Sequence, residues 1–462
     1  MSEIKVNKIS PRSGTTVTLG DSGDTFTIPS GATINNQGTA TNFGATGSAS
    51  WVTTVKTGDF TAVAGEGYFV NTTSGEIDVA LPAGTAGAVV AVKDYAKTWQ
   101  TNNCILVPNG SDKIGGLADN AILAEQGLAV TLVFVDSTKG WLVTDSGLQS
   151  EAPGILYVAA SGGTETTSGD FKIHTFTGPG TFTVSCAGNA QGSNKVSYMV
   201  VAGGGSGGAA EGGGGGGAGG FRESKAPFCS PYTASPLAPT DGLAVEATAI
   251  PITVGAGGAS LPYPAPTRGN AGSNSIFSTI TSAGGGGGGT SCNSPTRPGG
   301  NGGSGGGGGE TRGGCGQQGT GGSGNTPSVS PAQGKDGGPG SPSATNPAGA
   351  GGGGGATACG QTGQPNAGGA GGAGATTSIN GTPTARAGGG GGGVYGPACI
   401  GAGGTGGGGA GGRKAGGSVA AVAGTVNTGG GGGGASEGSP GSYGNSAAGG
   451  SGIVIIRYKF QN

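Results

Sequence analysis

Short runs in which apolar residues alternate with small or polar ones fill the first two hundred positions, and after them glycine takes over. Between 47 and 150 the runs are Trp51–Thr57, Gly67–Thr72, Glu76–Leu81, Ala88–Asp94, Asn103–Pro108, Leu128–Asp136 and Gly140–Thr144. They are rich in Val, Ile, Phe and Thr, recur about every ten residues and are bounded by Gly, Asn and Asp, which predicts strands in a sandwich or barrel-like sheet. A helical turn is expected at Ala118–Gln126. Residues 1–46 read as an extended segment, with strands at 15–20 and 24–29, and bury too little alone to fold without a partner surface. Residues 151–202 add strands at Ile155–Ala159, Phe171–Phe176, Gly180–Ser185 and Val196–Ala202. Residues 203–462 form the glycine-rich part, in which Ala249–Val254 and Asn274–Thr281 read as a hairpin pair and 453–459 as a closing strand. The expectation is an all-β chain in which a small sheet clamps both ends of the glycine-rich mass.

Glycine changes this picture most. The chain has 462 residues and 117 glycines, of which only 27 lie in the first 200 positions. Blocks at 203–220, 284–289, 299–309, 313–324, 349–355, 368–374, 388–393, 401–412 and 429–434 break the strict triplet of collagen. Flexible coil is one reading of such blocks. The other is polyglycine II, a threefold extended helix without internal hydrogen bonds, whose outward N–H and C=O groups bond neighbouring rods where no side chain holds them apart. Phe221, Phe228, Tyr232, Tyr263 and Tyr395 between the blocks favour the ordered reading, because a solvated linker avoids such residues. Charged residues are 10% of the chain and net charge is −2, which excludes a coiled coil and a strongly basic nucleic-acid surface. No stretch approaches the length of a membrane span, and synthesis in a cytosol is expected.

Candidate chemistry is sparse. The single histidine, His174, lies in an alternating strand with Phe171 and Ile173 on the opposite face, and an exposed or interfacial position is expected. Seven cysteines (Cys104, Cys186, Cys229, Cys292, Cys315, Cys359, Cys399) include no CxxC pair, so no metal site is expected. Idle thiols are the plain reading, and disulfides among the five in the glycine-rich part remain open for a chain that ends outside cells. Acidic residues in that part are few and scattered, which argues against a paired-carboxylate hydrolase. Neither a cofactor nor an enzymatic activity is expected.

The run MSEIKVNKISPRSGTTVTLGDSGDTFT at Met1–Thr27 is similar to the N-terminus of tail-fibre and appendage proteins of marine tailed phages. The 47–150 segment resembles the β domain that follows it there. The stretch FKIHTFTGPGTFTVS with VSYMVVAGGG, and the terminal GGSGIVIIRY, resemble a glycine-rich domain of phage fibres, and the distal part resembles tip adhesins built from polyglycine II rods. The resemblance implies a virion protein attached to other tail or baseplate proteins and binding a host cell-surface receptor, a glycan or an outer-membrane protein, without membrane insertion. A homotrimer is expected because the 1–46 segment cannot bury itself and a threefold fibre closes exposed strand edges against neighbouring copies. A structural fibre lacking receptor contact is the alternative, and an ice-binding protein a more remote one.

Binding would fall on loops between rods. If 203–220 runs outward as one rod and later blocks alternate in direction, the connections 221–240, 290–298, 325–348, 375–387 and 413–428 share the outer end. They carry the receptor-binding candidates Arg222, Phe228, Tyr232, Arg297, Lys335, Arg386, Arg413 and Lys414, a positive rim suited to anionic surface glycans.

Overall fold

The alternating runs become strands, and no helix longer than a single turn occurs among the described residues. The computed structural model describes residues 49–148 and 155–461, except 210, 230, 264–266, 292–295, 312–316, 343–347, 397–398, 415–416 and 437–443, and also 11, 13–17 and 25. The strands expected at 15–20 and 24–29 lie for the most part outside the described residues. The chain divides into two compact units, Met1–Pro153 and Gly154–Asn462.

In the first unit β1 (Ser50–Lys56), β3 (Glu66–Val70), β5 (Val89–Asp94), β8 (Leu128–Asp136) and β9 (Gly140–Leu148) form one sheet in that order. β2 (Phe60–Thr61), β4 (Ile77–Ala80), β6 (Cys104–Val107) and β7 (Ala121–Leu123) form the other. β1, β3 and β5 pair in parallel, as do β2, β4 and β6, so the chain winds from sheet to sheet before β7, β8 and β9 add antiparallel strands. Val70, Val79, Leu81, Val92, Leu106, Leu132, Trp99 and Trp141 share the core. The expected helical turn at 118–126 is instead β7, because Ala121, Ile122 and Leu123 complete the edge of β6.

The second unit starts as a sandwich. One sheet orders β10 (Val158–Ser161), β13 (Gly180–Ala187), β17 (Ala249–Thr253), β18 (Ser275–Phe277) and β19 (Ile280–Ser282). The other orders β11 (Thr164–Ser168), β12 (Phe171–Phe176), β22 (Ile453–Lys459), β14 (Lys195–Val201) and β15 (Phe221–Ser224), with β16 (Leu243–Ala244) also against β14. The closing strand therefore lies in the middle of its sheet. Phe176, Phe182, Tyr198, Val200, Phe277, Val454 and Ile456 pack between the two sheets. The opposite face of the second sheet is also covered: Phe171, Met199 and Ile455 pack with Tyr232 and Ile379 from the connections that follow β15 and β20 (Ala375–Thr377), the latter paired with β21 (Thr384–Arg386).

The strands run on into glycine rods. β14 continues as 203–209, and 213–220 leads back into β15. β17 continues as 255–259, 269–273 leads into β18, β19 continues as 283–290, and 446–452 leads into β22. Rod 213–220 gives the bonding rule. Gly213, Gly214 and Gly215 donate their N–H groups to Ala435, Gly289 and Gly351 on three different rods. Gly216, Gly217 and Ala218 repeat the set with Gly432, Gly286 and Gly354, at 2.8–2.9 Å. This period of three is the polyglycine II helix. Its carbonyls accept from three further rods, through Gly205, Gly307 and Gly390. The six neighbours 203–209, 283–290, 303–310, 349–356, 387–394 and 429–435 close a ring, each bonded to the next, for example Gly286 N–H to Ser304 and Gly431 N–H to Gly388. Around part of this ring stand outer rods such as 318–324, 358–364, 367–374, 399–405 and 419–425.

Glycine is required here for close approach. A Cβ built on Gly215 would overlap the carbonyl of Gly390, and one on Gly216 that of Gly205. Inner rods are buried throughout, whereas outer rods bury about every third residue, as at Gly319 and Gly322 or Gly401 and Gly404. The residues between can then be Ala, Thr, Ser or Gln. The block at 203–220, expected to be one rod, is two antiparallel rods. Gly205 donates to Gly217 and Gly208 to Gly214, and the reversal uses Gly212 at φ +55°.

His174, expected at a surface, is fully buried between the sheets. Its Nδ1 lies 2.7 Å from the Gly162 carbonyl, which can only accept, so Nδ1 carries the proton; Nε2 faces the Tyr458 hydroxyl at 3.1 Å. Burial lowers its pKa below the usual 6.5, outweighing the Gly162 hydrogen bond and the Glu165 carboxylate 4.0 Å away, with Lys172 adding to the lowering.

Two outcomes are expected. Gly215→Ala should lower stability by about 3 kcal/mol or more, as an overpacked site without room to relax, whereas Gly178→Ala, with open space at its Cβ, should stay within about 1 kcal/mol; thermal melts decide. Because the folded pKa of His174 lies below the unfolded one, the unfolded chain binds more protons and stability falls as pH drops below 6.5. Denaturant titrations of His174→Gln between pH 7 and 5 should show a shallower slope, by up to about 1.4 kcal/mol per pH unit.

Candidate functional site

Because rods reverse at each connection, the second unit has two ends. At one lie the strands, together with the short turns near Gly302, Thr357, Gly406 and Val426 and the longer connections 225–242 and 325–333. The rod ends at Ala209, Ala259, Ser291, Thr311, Pro342, Gln364, Tyr395, Lys414 and Ser436 gather at the far end.

The expected sharing of one end by 221–240, 290–298, 325–348, 375–387 and 413–428 is therefore overturned. The fold-back at Gly212 returns 221–240 to the strand end, and 375–387 is the β20–β21 hairpin there. Segments 325–348 and 413–428 each contain a whole rod and so reach both ends. Arg222, Phe228, Tyr232, Lys335 and Arg386 thus belong to the strand end, and Arg297, Arg413 and Lys414 to the far end.

At the far end arginines brace the connections, two of them across to a neighbouring one and Arg413 within its own. Arg268 Nε donates to the Pro298 carbonyl at 2.8 Å, Arg297 Nη1 to that of Gln317 at 2.5 Å, and Arg413 Nε to that of Gly417 at 3.2 Å. Leu261 and Ser446 exchange two hydrogen bonds, and Tyr263 N–H donates to Asn445 Oδ1 at 2.9 Å. Tyr263 keeps 37% of its surface exposed. The result is a braced surface carrying Tyr263, Arg268, Arg297, Arg413 and Lys414.

At the strand end two of the candidates are buried: Tyr232 at 8% exposure and Arg386 at 5%. Lys225 Nζ donates to the Tyr232 carbonyl at 2.7 Å and sits over its ring, whose other neighbour is the Arg457 guanidinium, stacked also on Phe171 at 4.5 Å. The Glu223 carboxylate, also buried, accepts from Ser235 N–H at 3.0 Å and Thr377 Oγ1 at 2.6 Å. Burial raises its pKa, while those two hydrogen bonds and the Arg386 charge pull it back. These residues hold the two covering connections on the sheet. Phe228 (45% exposed) and Lys335 remain at the surface, and Arg222 is half-buried beside a cavity. Gln333, which the sequence did not single out, caps the rods: Oε1 accepts from Ala283 N–H, Nε2 donates to the Pro327 carbonyl, and its own carbonyl accepts from Phe221 N–H.

Among the described residues no group of three or more His, Cys, Asp or Glu could hold a metal ion. Cys104, Cys186, Cys229, Cys359 and Cys399 are free thiols; Cys292 and Cys315 lie outside the described residues. The model of a glycine-rich domain family matches residues 174–459, and the chain belongs to that family. No curated protein matches the chain.

Arg386→Met should destabilise the second unit by about 1–3 kcal/mol, because it removes a buried side chain and the positive charge that acts on the buried Glu223 carboxylate. Adding Glu223→Gln should recover part of that loss. A double-mutant cycle read by denaturant unfolding checks the coupling, and strict additivity would contradict it.

Proposed function

We propose that this member of the glycine-rich domain family is a tail-fibre adhesin of a phage virion, binding rather than catalytic, whose rod lattice carries a recognition surface at the end away from the strands. One observation carries the reading: rods fixed laterally by hydrogen bonds bring their ends together on one side, and the segments that join those ends differ in length and chemistry. A rigid support lowers the ordering cost of binding, and sequence can vary in the connections without disturbing the lattice. Tyr263, Arg268, Arg297, Arg413 and Lys414 supply aromatic and cationic contacts of the kind that anchor interfaces and attract anionic glycans. In the same reading the first unit joins three copies and attaches to other tail proteins. Its exposed Trp51, Ile122 and Val143 supply apolar surface for that contact.

The test replaces far-end connections, 395–398 and 414–418, with Gly-Ser sequences of equal length in one virion, and the strand-end segment 378–383 in another. Adsorption to susceptible cells should fall about tenfold or more in the first and less than about twofold in the second. Equal adsorption by both would remove the recognition role. Sedimentation equilibrium of the full chain should give three times its 42.8 kDa mass, and a single-chain mass would remove the trimer.

A further inference from the structure

We propose that the cavity on the outer edge of β15 is a binding site for a small acid carrying one secondary amide. It has a volume of about 200 Å³ and is walled by β15, by Leu237, Pro239 and Asp241, and by Pro331 and Ala332 of the 325–333 connection. β15 is the last strand of its sheet. In an antiparallel ladder alternate residues turn their N–H and C=O away from the partner strand. Phe221 and Lys225 do so and are satisfied, Phe221 N–H by the Gln333 carbonyl at 2.8 Å and Lys225 N–H by that of Pro239 at 2.9 Å. Glu223, between them, faces the same way, and its backbone N–H and C=O have no partner among the described residues. One backbone donor and one acceptor side by side match one secondary amide, as in strand addition. Gln333 and Pro239 already occupy the neighbouring edge positions, so a continuous peptide strand cannot extend along the edge.

Charge adds the second half of the recognition. Arg222 lines the cavity, and no ion-pair partner for it is found among the described residues. The acid beside it, Asp241, is held by Lys195 at 2.7 Å. Ser224 Oγ is engaged, donating to the Pro239 carbonyl and accepting from Gly242 N–H. A guanidinium without a carboxylate partner next to an open amide edge fits a carboxylate a few bonds from an amide, with bidentate contact at the arginine. Leu237, Pro239, Pro331 and Ala332 leave an apolar wall for the acyl group.

Both N-acetyl amino acids and acetamido sugar acids carry this chemistry. The test is calorimetric titration of the full chain with N-acetyl-L-glutamate and with N-acetylneuraminic acid, against N-acetylglucosamine (amide only) and glucuronate (acid only). At least one acid amide should bind saturably, about tenfold or more tighter than both controls, and the better of the two identifies the source. Arg222→Gln should reduce it to the level of the controls. Ala332→Phe, which fills the cavity, should abolish binding while the melting temperature holds. Replacing the 414–418 connection should leave binding intact, which separates this site from the far-end surface. Absence of binding at about 10 mM, affinity equal to the controls, or indifference to Ala332→Phe would overturn the proposal.

Discussion

Backbone-to-backbone contact without intervening side chains governs the second unit. A polyglycine II rod has no internal hydrogen bonds, so every buried N–H and C=O must find a partner on another rod, and a buried group left unpaired costs about 1–3 kcal/mol. Rod 213–220 satisfies the condition by bonding six neighbours in a period of three. That coordination is available only if the carbonyl of Gly390 can approach the α-carbon of Gly215 more closely than a Cβ permits. Apolar burial, which organises the first unit around Trp99 and Trp141, contributes little inside the lattice.

Such a lattice has a beginning, and the sandwich provides it. β22, β14 and β15 are hydrogen-bonded neighbours, and their continuations 446–452, 203–209 and 213–220 remain neighbours after the backbone period changes from two to three. The pair Val201 and Ile453 in the ladder is followed by the bond from Gly204 to Gly450, without a break in partner. A sheet with an aromatic core therefore fixes the lateral order of the rods that continue its strands, and the other rods are held by hydrogen bonds to these and to one another. The buried His174–Tyr458 contact lies at the root of this arrangement, and Glu223 with Arg386 holds the cover over its other face.

The two ends differ for the same reason. Strand-end connections are packed onto the sheet, so aromatic and charged residues such as Tyr232 and Arg386 become buried framework. Far-end connections have no sheet beneath them and are braced by arginine-to-carbonyl bonds between neighbours. Whether an aromatic or charged residue becomes framework or stays at the surface is thus set by the direction of its rod more than by its type.

The sequence by itself determined the all-β class, nearly every strand of the first unit, the clamping by β14 and β22, and the rods. Alternation of period two and glycine without side chains are local properties, and each dictates a local backbone. It also carried a further signal: glycine recurring at every third position among polar residues, as Gly319 and Gly322 do beside Gln318, Thr320 and Ser323, marks outer rods with one buried face. Only the tertiary structure decided which rod stands at the centre, that 203–220 folds back at Gly212, and therefore that Arg222 and Arg386 lie at the opposite end from Arg297 and Arg413. It also decided that His174 is buried, because the opposite sheet covers its face with Phe182 and the neighbouring strand 453–459 sets Tyr458 beside it. Glycine blocks look alike in sequence, and their partners are chosen by lateral hydrogen bonds between residues far apart, which no local pattern records.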